Sequence, residues 1–80
     1  MIVEVLTLEE VLFSDEVKSV TVPGKSGRFE ILHNHAPIIS ILNSGTIKLT
    51  DNNNKETSIL IDGGSVEMSN NKVTILAEKA

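Results

Sequence analysis

Eighty residues with a formal charge of -4 make one domain, because a chain this short buries only about 60 to 65% of its unfolded surface. That excludes a cleft between domains, and the absence of cysteine excludes disulfides, thiolate metal sites and a cysteine nucleophile. The seven basic residues are scattered and only Phe13 and Phe29 are aromatic, so a nucleic-acid binder, which needs a basic face and stacking platforms, is excluded as well.

The first apolar stretch, residues 2–7, alternates and is rich in Val and Ile, which reads as a strand. The same start lacks the positive charge and long apolar run of a signal peptide, and no apolar run reaches the ~20 residues of a membrane span. The chain therefore reads as soluble and cytosolic. Further strands are predicted over residues 11–13 and 16–22, with the acid pairs Glu9-Glu10 and Asp15-Glu16 in turns. Within 16–22 the apolar phase changes from odd (Val17) to even (Val20, Val22), which predicts a β-bulge near Ser19. After a turn at Pro23-Gly24, residues 28–32 alternate, placing Phe29 and Ile31 inward and Arg28 and Glu30 outward. Strands over 38–42, 46–50, 57–61, 65–68 and 72–77 follow. They are separated by turn residues at Asn43-Ser44-Gly45, Asp51 to Asn54, Asp62-Gly63-Gly64 and Asn70-Asn71, which tolerate or preset the required dihedrals. Short Val/Ile/Thr segments with a turn every 8 to 12 residues or so predict an all-β antiparallel sandwich or barrel.

The residues offer one chemical constellation. Gly27, His33 and His35 fit the first half of a cupin metal motif, G-x5-H-x-H, in which alternate strand residues aim two imidazoles at one metal. The second half is missing, because Ile39 and Ser40 stand where a Glu is required and no third His exists. Two imidazoles make a poor catalytic metal site, and His35 directly precedes Ala36-Pro37, which places it in a loop. Asp51-Asn52-Asn53-Asn54 lacks a correctly spaced closing Glu for calcium, and Asp62-Gly63-Gly64 lacks the lysine and helix of a phosphate loop. The serines form no nucleophile elbow. No catalytic, cofactor or metal residue is assigned.

Val22-Pro23-Gly24, Gly27, Phe29, Ile31-Leu32, His35-Ala36-Pro37, Gly63-Gly64, Val66-Glu67 and Val73-Thr74-Ile75-Leu76-Ala77 resemble, in order and spacing, the epsilon subunit of F-type ATP synthases. The resemblance spans residues 1–80. It implies a sandwich of about ten strands forming a non-catalytic subunit at the foot of the central stalk. That subunit docks the gamma subunit onto the c-ring and couples proton (or sodium ion) flow to ATP synthesis. On this resemblance Thr7, His35, Ala36, Pro37 and Ser40 face gamma, and Ser26, Arg28 and Glu30 face the polar loops of the ring. The implied location is the cytoplasmic face of the bacterial plasma membrane, peripheral, with no insertion into the bilayer and a monomer in isolation.

The sequence also departs from the family pattern. Glu30, His33 and Asn34 replace the first Gly, the Pro and the second Gly of Gly-Ile-Leu-Pro-Gly-His-Ala-Pro, and Arg28 stands where many members carry an acid. The rival readings are a cupin-like metal protein using His33 and His35, and a generic scaffold sandwich. Most members continue into a C-terminal helical hairpin that inhibits rotation and in some binds ATP, whereas this sequence ends at Glu78-Lys79-Ala80. Three residues are less than one helical turn of 3.6, so the expectation is a short form or fragment without hairpin regulation. Calorimetry of residues 1–80 should detect no ATP binding. Micromolar binding would reveal a nucleotide site in the sandwich itself.

Overall fold

Alternation of apolar with polar residues, β-branched in most strands, builds the regular elements of the chain. The structure, a computed structural model, describes residues 1–80. Its strands are β1 (Ile2–Leu6), β2 (Val11–Glu16), β3 (Ser19–Gly24), β4 (Gly27–Leu32), β5 (Ile38–Thr50), β6 (Glu56–Ser69) and β7 (Lys72–Lys79). They form one hydrogen-bonded sheet in the order β2-β1-β7-β6-β5-β3-β4. The all-β expectation holds, with seven strands in place of about ten.

The difference in count lies in β5 and β6. Asn43-Ser44-Gly45 and Asp62-Gly63-Gly64, expected to be turns, lie inside the two longest strands and pair with each other across the ladder. Buried positions in β5 are even at Leu42 and odd at Ile47 and Leu49; in β6 they are odd at Ile61 and even at Val66 and Met68. Both strands therefore switch phase at the same level while their mutual register does not shift from Ile38↔Met68 to Thr50↔Glu56, with Asn43 and Gly63 alone left out of the pairing. They bend together. The first half of β5 and the second half of β6 continue through β7 and β1 to β2 as one layer, and their other halves continue through β3 to β4 as the second. Neighbours that do not bend fall out of step: β6 shifts against β7 between Ile61 and Gly64, and β3 against β5 between Thr21 and Gly24.

Four further expectations are corrected. The sandwich is not purely antiparallel, since β1 runs parallel to β7 from Ile2↔Lys72 to Leu6↔Leu76. In place of a bulge at Ser19, the strand breaks at Val17 and Lys18: Val17 N–H donates to Met1 O at 2.9 Å and Lys18 N–H to Thr50 O at 2.8 Å. These two residues carry the chain from β1's layer to β5's, and this crossing resets the apolar phase. Asp15-Glu16 belong to β2, and Pro23-Gly24 end β3 as a buried pair rather than forming its turn.

Between the layers sits one cluster of 16 buried apolar residues drawn from β1 and β3–β7, with Met1 and Val17 closing it. No buried side-chain polar atom lacks a hydrogen bond, so burial is not offset by unpaired polar groups. Glycine makes the bend close. A Cβ on Gly64 (φ +151) would stand 2.2 Å from the backbone oxygen of Leu76. Gly27 (φ +130) also has a positive φ, but nothing lies within 4 Å of its Cβ position.

These two glycines separate dihedral strain from contact. Gly27→Ala should cost about 1 to 2 kcal/mol of backbone strain in urea unfolding. Gly64→Ala adds a clash with main chain and should cost at least about 3 kcal/mol. Equal losses would show that the bend is not closed by β7.

Candidate docking interface

The two layers present unlike outer faces. On the β2-β1-β7-β6-β5 layer the registers align Val11, Leu6, Leu76, Ser65 and Ile41 in one row, and Ser14, Glu4, Thr74, Glu67 and Ile39 in the next. Six of the eight exposed large apolar residues belong to this layer or to the loop at its end, including Leu8 at 97%, Ile39 at 77% and Ile41 at 57% exposure. Its outward charges are mainly acidic: Glu4, Glu16, Glu67 and Glu78 against Lys72, which pairs with Glu4 at 3.0 Å. A groove of about 620 Å³ lies at the bend, bordered by Leu8, Ile41, Leu76, Asp62 and Glu78.

The other outer face is polar and internally paired. Ser19, Thr21, Thr46, Thr50 and Ser58 alternate outward with Lys48 and Glu56, which form an ion pair at 3.0 Å. The Arg28 guanidinium donates to Thr46 O at 2.8 Å, so its charge is held flat across β3. Leu32 and Leu60 are the exposed large apolar residues here.

The residues singled out by sequence fall around these faces. Ser26 lies in the β3–β4 turn; Arg28 and Glu30 are exposed on β4, outward as expected. Thr7 follows β1, where its hydroxyl accepts from Glu9 N–H at 3.2 Å and Glu10 N–H at 3.1 Å and so shapes the loop that exposes Leu8. His35, Ala36 and Pro37 are exposed in the loop leading into β5. Ser40 is half-buried in β5, in the inward phase shared with Ile38 and Leu42, so it lies on the same strand as Ile39 and Ile41 but does not belong to the outer face. The structure thus brings His35–Pro37 and Ser40 together along the start of β5. It puts Thr7 at the opposite end of the same layer, beyond β6 and β7.

The histidines lie outside any strand, because β4 ends at Leu32. His33 Nδ1 is 3.3 Å from the Asn71 amide nitrogen, and His35 Nδ1 is 2.7 Å from Ala36 O. Asn34 takes φ 61 and donates its N–H to the Asn71 side chain at 2.9 Å, fastening the loop to the β6–β7 turn. The alternation that would converge two imidazoles on one metal does not operate here, and no group of three or more His, Asp or Glu residues is placed to hold one. The apolar-acidic face went unnoticed in sequence because its members are scattered over five strands. The available signal was apolar residues in the outward phase, as at Ile39, Ile41 and Leu76.

Comparison with known proteins agrees with this geometry. The family model for the ATP synthase delta/epsilon chain β-sandwich domain matches residues 1–80. An ATP synthase epsilon chain from Desulfatibacillum aliphaticivorans is 40% identical over all of this chain and 57% of its own length. One from Chlorobium limicola is 40% identical over 94% of this chain and 85% of its own. The chain thus spans a little over half of the first relative and most of the second. Among solved structures, a chain of the Euglena gracilis mitochondrial ATP synthase superposes with a TM-score of 0.90 at 20% identity, covering 96% of this chain and 49% of that one. A chain of the Tetrahymena thermophila central stalk and c-ring gives 0.80 at 18%, covering 98% and 63%. A family match from the first residue to the last, on a sheet that folds over itself in the same way, establishes that this chain belongs to the β-sandwich domain family of ATP synthase delta and epsilon chains.

Proposed function

We propose that this domain serves as the non-catalytic docking block of an epsilon subunit, fixing gamma to the c-ring of a proton-translocating ATP synthase. The site of action is the cytoplasmic face of a bacterial plasma membrane. The observation that carries the reading is the asymmetry of the two outer faces. Exposed apolar residues concentrated on one layer mark a surface that becomes buried against a partner, and the core of such an interface is depleted of charge. That layer is bounded by Thr7 at one end and by His35, Ala36, Pro37 and Ser40 at the other, which is the set assigned to gamma. Its excess of carboxylates favours a partner surface with basic residues. The polar rim at Ser26, Arg28 and Glu30 suits the exposed loops of a ring that turns with the stalk. A subunit that carries torque gains from a close-packed core, because packed interiors transmit strain with little compression.

The experiment is assembly of this chain with the gamma subunit of the same enzyme. Ile41→Asp places a charge in the apolar face, where it is already exposed and outside the core. It should leave the circular dichroism all-β and weaken gamma binding by about a hundredfold, as for a central interface residue. Reversing Arg28 and Glu30 together should instead change the salt dependence of holoenzyme assembly, with an effect on affinity of severalfold at most, because exposed pairs are worth roughly 0.2 to 1 kcal/mol. Unchanged gamma binding in Ile41→Asp would overturn the assignment of the apolar layer. An unchanged salt dependence would remove β4 from the ring contact.

A further inference from the structure

We infer that the partner covering the apolar layer docks by adding a short strand to the open edge of β5, over Ile38–Ile41. The inference deepens the reading of that layer as the gamma-facing surface and rests on it. The first half of β5 pairs with β6 on one side. On its other side β3 reaches only Leu42, through Gly24, and rejoins β5 at Lys48. The Lys25 N–H donates to Ile41 O at 2.9 Å from that same side. In a strand the N–H and C=O of one residue point to one side and those of the next to the other. The Ile39 N–H and C=O therefore point the same way as Ile41 O, into the gap where no strand lies.

Sheet edges are normally blunted by charge, bulges or proline. The other open edges follow that rule: β2 carries Asp15, Glu16 and a register shift in its pairing with β1, β4 carries Arg28 and Glu30, and the first half of β6 begins with Glu56. Ile38-Ile39-Ser40-Ile41 carries no charge, and Ile39 is 77% exposed. Pro37 stops the ladder at one end and the Lys25 contact stops it at the other, so the edge accepts three or four residues and no more. A groove of about 480 Å³ bordered by Pro37, Ile39, Glu67 and Met68 runs beside it. Glu67, opposite Ile39 on β6, is exposed and forms no ion pair. The matching segment is extended, apolar where it lies beside Ile39 and Ile41, and carries a Lys or Arg that reaches Glu67. Main-chain bonds give such an interface its register, and alternate side chains give its specificity.

The test is amide hydrogen exchange of the chain, free and bound to its gamma subunit, read residue by residue by NMR after quenching. Binding should slow the Ile39 amide at least about tenfold, as for a newly formed ladder bond, while exposed amides on β4 stay unchanged. A pair of variants reads the same point in affinity: Ile39→Ala removes the side chain and keeps the donor, whereas Ile39→Pro removes both. Proline is tolerated at an open edge where its nitrogen faces solvent. Ile39→Pro should bind gamma at least about tenfold more weakly than Ile39→Ala. If Ile39→Pro does not fold, the exchange measurement on the unaltered chain decides. A complex that forms with the Ile39 amide unprotected overturns the strand addition and leaves the docking face standing. Failure of any complex to form overturns both. Protection that appears in the free chain and grows with its concentration overturns the inference in favour of a second copy at this edge.

Discussion

Everything in this domain depends on β5 and β6 bending together without losing their pairing. An eighty-residue chain can enclose a core only if its sheet covers itself. One route is two separate sheets joined by loops; here two long strands serve both layers and stay in register across the hinge, paired on both sides of it at Leu42↔Gly64 and Ser44↔Asp62. The bend needs glycine, because β7 passes so close to Gly64 that no side chain fits. Gly45 plays a similar part against Pro23, whose side-chain carbons lie 2.9 to 3.2 Å from where its Cβ would be. The hinge is therefore locked by contact, and apolar residues on either side of it fill the same core.

A folded-over sheet has two outer faces, and this sequence spends its charges and hydroxyls unevenly between them. On the second layer Lys48 pairs with Glu56 and Arg28 donates to the Thr46 carbonyl, among outward Thr and Ser residues. The first layer keeps Ile39, Ile41, Leu76 and Leu8 in water, which is costly unless they are covered, at roughly 25 cal/mol per Å² of apolar surface. Under the proposed function the domain is a spacer with two unlike contacts. One is apolar and suited to a lasting attachment; the other is polar and suited to exposed loops.

Much of this was legible in the sequence. The alternation at Arg28 to Ile31 correctly set the direction of those four side chains of β4, and the phase change around Val17 correctly signalled an irregularity. Its form was not legible: a bulge and a crossing between layers both reset the phase, and only the long-range bonds of Val17 to Met1 and of Lys18 to Thr50 distinguish them. Asn43-Ser44-Gly45 and Asp62-Gly63-Gly64 have the composition of turns, yet each is held in a ladder by the other, a tertiary fact that local propensity does not contain. The parallel pairing of β1 with β7 joins opposite ends of the chain and leaves no local mark. The histidine motif misled in a different way. Its spacing presumed a strand that ends one residue earlier, at Leu32. The family resemblance implied two sets of residues, of which Thr7, His35, Ala36, Pro37 and Ser40 lie on or beside the first layer and Ser26, Arg28 and Glu30 on the second, but the open edge at Ile39 has no sequence signature apart from missing charge.

The central claim is that the outer face of the β1 layer, and not the opposite face, is the one a gamma subunit covers. The chain offers a matched pair for testing it, since Leu76 and Leu60 are both exposed, at 48% and 63%, on opposite faces. The most direct measurement is the gamma affinity of Leu76→Asp beside that of Leu60→Asp, each checked for an unchanged fold. The account predicts about a hundredfold loss for Leu76→Asp and less than about twofold for Leu60→Asp, the contrast between an interface centre and a solvated surface. Equal losses, or a larger loss at Leu60, would contradict it.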